Sequence, residues 1–201
     1  NIDYIKDSTS DKELEKFRQT IDLFKKYAGQ YQFDYLMVAA QAYQESKLDH
    51  SKVSPAGAVG VMQLLPSTAA DKNIGIPDIH ELENNIHAGT KYLRFIVDRY
   101  FKDEPMDDVN KLLVAFAAYN AGPHRVTRWL PEKTLPADIW IELVPFAETR
   151  GYLRRVLAYM VIYEKRMGKD PTRLAERMHP VPPDVEQIRS VQAGKPVASA
   201  S

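Results

Sequence analysis

An all-α fold is predicted for this 201-residue chain on three observations. Apolar residues recur at spacings of three and four in one segment after another. No strictly alternating run survives beyond four residues, so strand signals are almost absent. The length suits one domain with appendages and is enough to bury a real core.

The elements follow in order. Residues 1–10 are polar and lead through Asp7, Ser8, Thr9 and Ser10 into the first periodic segment. Over 11–28, Leu14, Phe17, Ile21, Phe24 and Tyr27 form one apolar stripe, and Gly29 is placed to cap it. Residues 35–48 read as a helix apolar on almost every side, normally the central helix of a domain. Residues 50–65, HSKVSPAGAVGVMQLL, break the pattern. Pro66, Ser67 and Thr68 open a short helix, and 74–78 is a loop. Residues 83–101 are helical, with Ile86, Tyr92, Leu93, Ile96, Val97 and Tyr100 on the apolar side. Another helix spans 107–120 and is ended by Gly122 and Pro123. Residues 126–129 make a short helical turn, and 131–145, interrupted by prolines, read as irregular. A long helix covers 147–167, with Tyr152, Val156, Tyr159, Met160 and Tyr163 inside, stopped by Gly168. Residues 169–201 hold five of the thirteen prolines and read as a docked arm fraying into a disordered tail. This divides the chain into a lead (1–19), a main domain (20–168) and a C-terminal arm (169–201).

Composition narrows the function classes. Lys+Arg and Asp+Glu are 27 each, so no global field favours nucleic acid or an anionic membrane. A neutral or mixed-charge substrate fits better. The absence of cysteine excludes disulfides, cysteine nucleophiles and thiolate metal sites. The longest apolar run, VLAYMVIY at 156–163, is far short of a membrane span. The five histidines show no ligand spacing, so neither metal nor cofactor is expected. No Gly-x-Ser-x-Gly elbow is present, and no strand or Gly-Lys-Ser/Thr accompanies the glycines of 54–63.

The central helix poses the chemical question, because it contains Glu45. At 100° per residue, Val38 lies about 20° from Glu45 around the axis, so the carboxyl points inward or into a cleft. Burying it costs several kcal/mol unless it is paired or protonated. One reading is a structural salt bridge to an arginine near 150; the other is a functional acid. Three further constellations bear on the choice. Ser54-Pro-Ala-Gly-Ala-Val-Gly60-Val-Met62-Gln63 is either a tight packed turn or a backbone passing close to a substrate. Tyr119, in AAYNAGP, is either core or the hydroxyl partner of a buried carboxylate. Glu148, in VPFAETRGY, is either a favourable charge at a helix start or a ligand contact.

Taken together, Glu45-Ser46, SPAGAVGVMQLLPSTA at 54–69, AYNAGP at 118–123 and PFAETRGY at 145–152 resemble the family 1 lytic transglycosylases. The resemblance covers roughly residues 20–168. The stretch before Glu45 and NNIHAGTKYL at 84–93 look most like the membrane-bound lytic murein transglycosylase F branch. This resemblance implies a lysozyme-like, goose-type helical domain, with the proline-rich arm outside it. It implies cleavage of the β-1,4 bond between N-acetylmuramic acid and N-acetylglucosamine in peptidoglycan, giving 1,6-anhydro products. Glu45 matches the family's single catalytic acid, and Tyr119 is expected to hydrogen-bond and orient it. Ser54, Met62, Gln63, Tyr152 and Glu148 are expected to line the cleft, with Ser46, Gly60 and Asn120 as structural neighbours. The implied partners are peptidoglycan glycan strands, and the implied location is the periplasm or cell envelope. Association with the outer membrane, and a solute-binding-like regulatory domain ahead of the catalytic one, would lie in parts outside this chain.

Two alternatives stand beside it. A lysozyme-like hydrolase would need an activated water and a second carboxylate, for which Asp49 is nearest in sequence. A non-catalytic peptidoglycan-binding module would not need Glu45 and Tyr119 intact.

Overall fold

The computed structural model describes residues 11–133, 135–169 and 180–181. The regular structure of these residues is helical apart from one two-stranded pairing and two isolated bridges. The helices are α1 (Asp11–Gln30), α2 (Tyr35–Ser46), α3 (Pro66–Ala70), α4 (Leu82–Ile96), α5 (Asp108–Ala121), α6 (Pro123–Thr127), α7 (Ala137–Leu143) and α8 (Ala147–Arg166). A π-helical turn, Val97–Phe101, extends α4. The strands β1 (Leu135–Pro136) and β2 (Pro180–Val181) pair antiparallel. Among the described residues, no helix is long and apolar enough to cross a membrane.

The central helix is where its pattern places it. Every residue of α2 from Leu36 to Ala42 is buried. Asp34 starts it by accepting the Leu36 and Met37 backbone N–H groups, which satisfies two donors the helix leaves open. α8 lies along one side of α2 and α1 along the other. α5 packs against α8 and α4, and α4 packs against α1; the shared core includes Leu36, Phe24, Phe101, Phe116 and Trp140. A smaller cluster of Val59, Leu64, Ala69, Ile74, Ile79 and Ala88 lies under the loop after α2. Backbone bridges Val53–Val59 and Val59–Leu64 fold that loop into a compact flap.

Three element bounds and one burial differ from expectation. α1 runs through Gly29, and the left-handed residue that turns the chain is Gln32 (φ 62°). α2 stops at Ser46, because Lys47 (φ 56°) and Leu48 (φ 60°) both take left-handed backbone. The segment expected to be irregular contains α7. Its buried Ala137, Trp140 and Ile141 form an i, i+3, i+4 stripe, and its prolines bound the helix instead of interrupting it. Tyr159 is only half-buried, and its hydroxyl accepts the Lys47 ammonium at 2.5 Å. The expected lead before residue 11, the Leu14 side chain and most of the C-terminal arm lie outside the described residues.

Candidate active site

Glu45 occupies the last turn of α2, so its backbone is fixed by the most buried helix of the domain. The residue as a whole is neither fully buried nor fully exposed. The Tyr152 hydroxyl, from α8, donates to its Oε1 at 2.7 Å. Burial pushes the Glu45 carboxyl from the usual 4.5 up to about 7; the Tyr152 hydrogen bond and the Lys52 ammonium oppose this, and Glu148 adds to it. Desolvation therefore dominates. Lys52 donates its ammonium to the Glu45 backbone carbonyl at 2.6 Å.

The salt-bridge reading of Glu45 does not hold. The arginines of α8 have other partners: Arg150 donates to the Val144 carbonyl, Arg154 pairs with Glu142, and Arg155 donates to Gln44. Asp49 does not supply a second carboxylate either. It is exposed and accepts the Ser51 N–H and hydroxyl in a local turn.

Tyr119 corrects an expectation. Its hydroxyl donates to the Met62 backbone carbonyl at 2.7 Å, not to Glu45. The geometric reason is that α5 brings Tyr119 to the flap, whereas α8 faces α2 directly and delivers Tyr152. The phenol still feels the site: burial and then the Glu45 charge hold it ionised only well above its usual range.

Met62 is a second correction. Its side chain is fully buried against Gly89 and does not line the cleft. Its peptide N–H is given to Asn85 Oδ1 at 2.9 Å and its carbonyl accepts the Tyr119 hydroxyl. Gln63, held at a positive φ of 49°, donates to the Lys52 and Gly60 carbonyls. Ser54 accepts the Ala58 N–H on its hydroxyl and so closes the flap turn. Ser46 donates to the Ala42 and Val61 carbonyls, tying the end of α2 to the flap. Asn120 accepts the Thr149 hydroxyl at 2.7 Å, joining the end of α5 to the start of α8. Glu148 lies exposed at that start, within electrostatic reach of Glu45.

Gly60 has φ 77°, and a Cβ there would meet the Asn85 amide nitrogen at 2.6 Å and the His50 ring at 2.7 Å. Both contacts are residues that sequence reasoning missed. Asn85, fully buried, also donates to the Val59 and Ile79 carbonyls. His50 accepts the Val61 N–H on Nδ1 and faces the His80 carbonyl through Nε2, which assigns the neutral Nε2–H tautomer. The available signal was Asn85 four residues before Gly89 on an otherwise apolar helix face. A small residue and an amide on one stripe leave room for another backbone.

The comparisons with known proteins fall on this architecture. The profile described as "Transglycosylase SLT domain" matches residues 22–138. The profile "Soluble lytic transglycosylase helical domain" matches residues 143–172. The soluble lytic murein transglycosylase of Escherichia coli K12 is 37% identical over 161 residues, covering 75% of this chain and 24% of that protein. Membrane-bound lytic murein transglycosylase F of Actinobacillus succinogenes is 35% identical over 149 residues, covering 71% of this chain and 30% of its own. An inactive mutant of the lytic transglycosylase Slt from Pseudomonas aeruginosa superposes with a TM-score of 0.64 at 33% identity, over 75% of this chain and 25% of that one. The 70 kDa soluble lytic transglycosylase of Escherichia coli superposes at 0.62 with 35% identity, again over 75% and 25%.

The fold and site thus define an all-α, lysozyme-like domain with a largely desolvated carboxyl at the end of its central helix. The chain belongs to the transglycosylase SLT domain family. It spans about a quarter of the length of the first curated relatives it matches.

Proposed function

We propose that this chain is a peptidoglycan lytic transglycosylase that cleaves the N-acetylmuramic acid–β-1,4–N-acetylglucosamine bond without water. The observation that carries the reading is the Glu45 carboxyl, raised to about 7 and braced by Tyr152. Near neutral pH it is poised to give and recover a proton. Glu45 first protonates the glycosidic oxygen as the bond to the muramic acid C1 breaks. It then takes the proton of the C6 hydroxyl, whose oxygen closes on C1 to form the 1,6-anhydro ring. That hydroxyl is tethered in the same sugar, so it competes well against water.

The flap backbone, Gln63 and Glu148 line the approach to Glu45 in this reading. The substrate is the glycan strand of peptidoglycan, and the place of action is the cell envelope. Hydrolysis of the same bond is disfavoured by the placement of Asp49. Mass spectrometry of products released from purified cell walls tests the proposal. Anhydro products from the wild type and none from Glu45→Gln support it. Products heavier by one water would show a hydrolase, and no release would leave a binding module.

A further inference from the structure

The residue that bears the acid is tied at its backbone by a side chain. A helix leaves its last carbonyls open. At the end of α2, those of Tyr43 and Ser46 take the Lys47 and Asp49 N–H groups in the turn that follows. The Glu45 carbonyl is taken instead by the Lys52 ammonium, which reaches back from the flap at 2.6 Å. The main chain of Lys52 is fixed as well: its carbonyl accepts the Gly60 N–H at 2.9 Å and the Gln63 amide at 3.0 Å. One exposed residue thus links the acid-bearing residue to the flap through both of its ends. The nearby Lys47 has a different task, since its ammonium is engaged on the Tyr159 hydroxyl.

We propose that Lys52 is a positioning residue for the reaction: its ammonium caps the last turn of α2 on the carbonyl of the acid itself and steadies the Glu45 carboxylate once the proton has been given up. A cation is favourable at a helix C-terminus, where the macrodipole is negative. That negative end works against an ionised Glu45, and the ammonium offsets it. Within one glutamate the carbonyl oxygen lies at most roughly 7 Å from the carboxyl, so the ammonium stands within about 10 Å of the acid. Its charge still acts at that separation, which is comparable with a screening length of about 8 Å. The groups that act on the carboxyl are the Tyr152 hydroxyl and Glu148 of α8, the Tyr119 phenol of α5 and Lys52 of the flap, and Lys52 is the cation among them. The first half of the reaction needs a carboxyl that holds its proton, which burial provides. The second half needs a carboxylate that lasts until it takes the C6 hydroxyl proton, and Lys52 supports that state without being buried itself.

This inference rests on the transglycosylase reading. Its test is the pH–rate profile of Lys52→Met, which removes the ammonium and keeps the backbone carbonyl that holds Gly60 and Gln63. Lys52→Arg is the charge-retaining control. Expected for Lys52→Met is a kcat lower by roughly 2–10-fold with KM unchanged. Its alkaline limb should move up by about 0.3–1 unit, and that of Lys52→Arg should stay in place. An NMR titration of the Glu45 carboxyl in the free protein should show the same upward shift in Lys52→Met. A lysine that merely closes the helix end would lower the melting temperature on removal and leave both limb and titration in place, and that result overturns the proposal. So does a limb that moves down, or one that moves equally in Lys52→Arg. If wild type makes no anhydro product, or Glu45→Gln still does, the underlying reading fails. If both controls behave and the Lys52→Met limb does not move, only this inference fails.

Discussion

The Tyr152 hydroxyl and the Glu45 carboxyl meet at 2.7 Å although they lie 107 residues apart in the chain. One end of this contact is on the most buried helix and the other on the helix packed along it, so neither partner can drift independently. The bond opposes desolvation without cancelling it, and the carboxyl settles at about 7.

Removing that donor is the most direct test of its role. Tyr152→Phe should lower kcat roughly 10–100-fold, the worth of a hydrogen bond to a charged group. Glu45 loses a contact that favours its ionised form, so its pKa should rise and the alkaline limb should move to higher pH. A limb that stays in place would mean that the bond seen here is absent from the working enzyme.

Glu45→Gln should reduce cleavage by more than about a hundredfold while leaving sugar binding largely intact, since the amide is nearly isosteric but cannot transfer the proton. Glycan binding to the variant, measured by calorimetry, checks the second half of this statement.

The same substitution should stabilise the fold, and the sign depends on pH. The folded-state pKa, about 7, exceeds the unfolded value near 4.5. The folded protein therefore binds more protons between these values, and stability falls as pH rises from the lower to the higher. Below about pH 4 the carboxyl imposes no penalty; at pH 8 it imposes all of it, roughly 3 kcal/mol at most. Thermal melts of both proteins should show the glutamine variant ahead by more at pH 8 than at pH 4. A variant destabilised at pH 8 would mean that Glu45 is held by a favourable partner.

Asn85→Ala should be costly although the residue lies in no recognised motif. It deprives the Met62 N–H and the Val59 and Ile79 carbonyls of their partner. At about 1–3 kcal/mol per buried unpaired group, the loss should be roughly 3 kcal/mol or more. That corresponds to a melting temperature lower by about 6–12 °C. A shift of a degree or two would mean that the flap holds itself without the amide.

Gly89→Ala should also destabilise, by about 1–3 kcal/mol, because a Cβ there meets the Met62 sulfur at 2.5 Å. Denaturant titration measures this. No loss would show that Met62 can move aside.

The residues differ in how far sequence alone could read them. α2 was legible because a continuous apolar run admits only a buried helix, and Glu45 stood out as the one charge inside it. α7 was not, because prolines on either side look the same whether they bound a helix or break one. The hydroxyl assignments were out of reach for a different reason. Tyr119 and Tyr152 both lie on apolar helix faces, and only the packing of α8 along α2 decides which phenol reaches the carboxyl. Asn85 was hidden because its neighbour Asn84 is chemically identical, and only helical phase separates a buried amide from a half-exposed one.

The separation of Glu45 from Tyr152 along the chain has a temporal consequence. During synthesis, a ribosome-bound segment that ends before α8 carries a glutamate with no phenol against it and no partner helix to desolvate it. Its acidity is then that of any surface carboxylate, near 4.5, and at neutral pH it has no proton to give. The acid comes into being only when α8 docks, as one of the last long-range contacts the domain can make. Helix docking is therefore the step that turns an ordinary carboxylate into a group that keeps its proton near neutral pH.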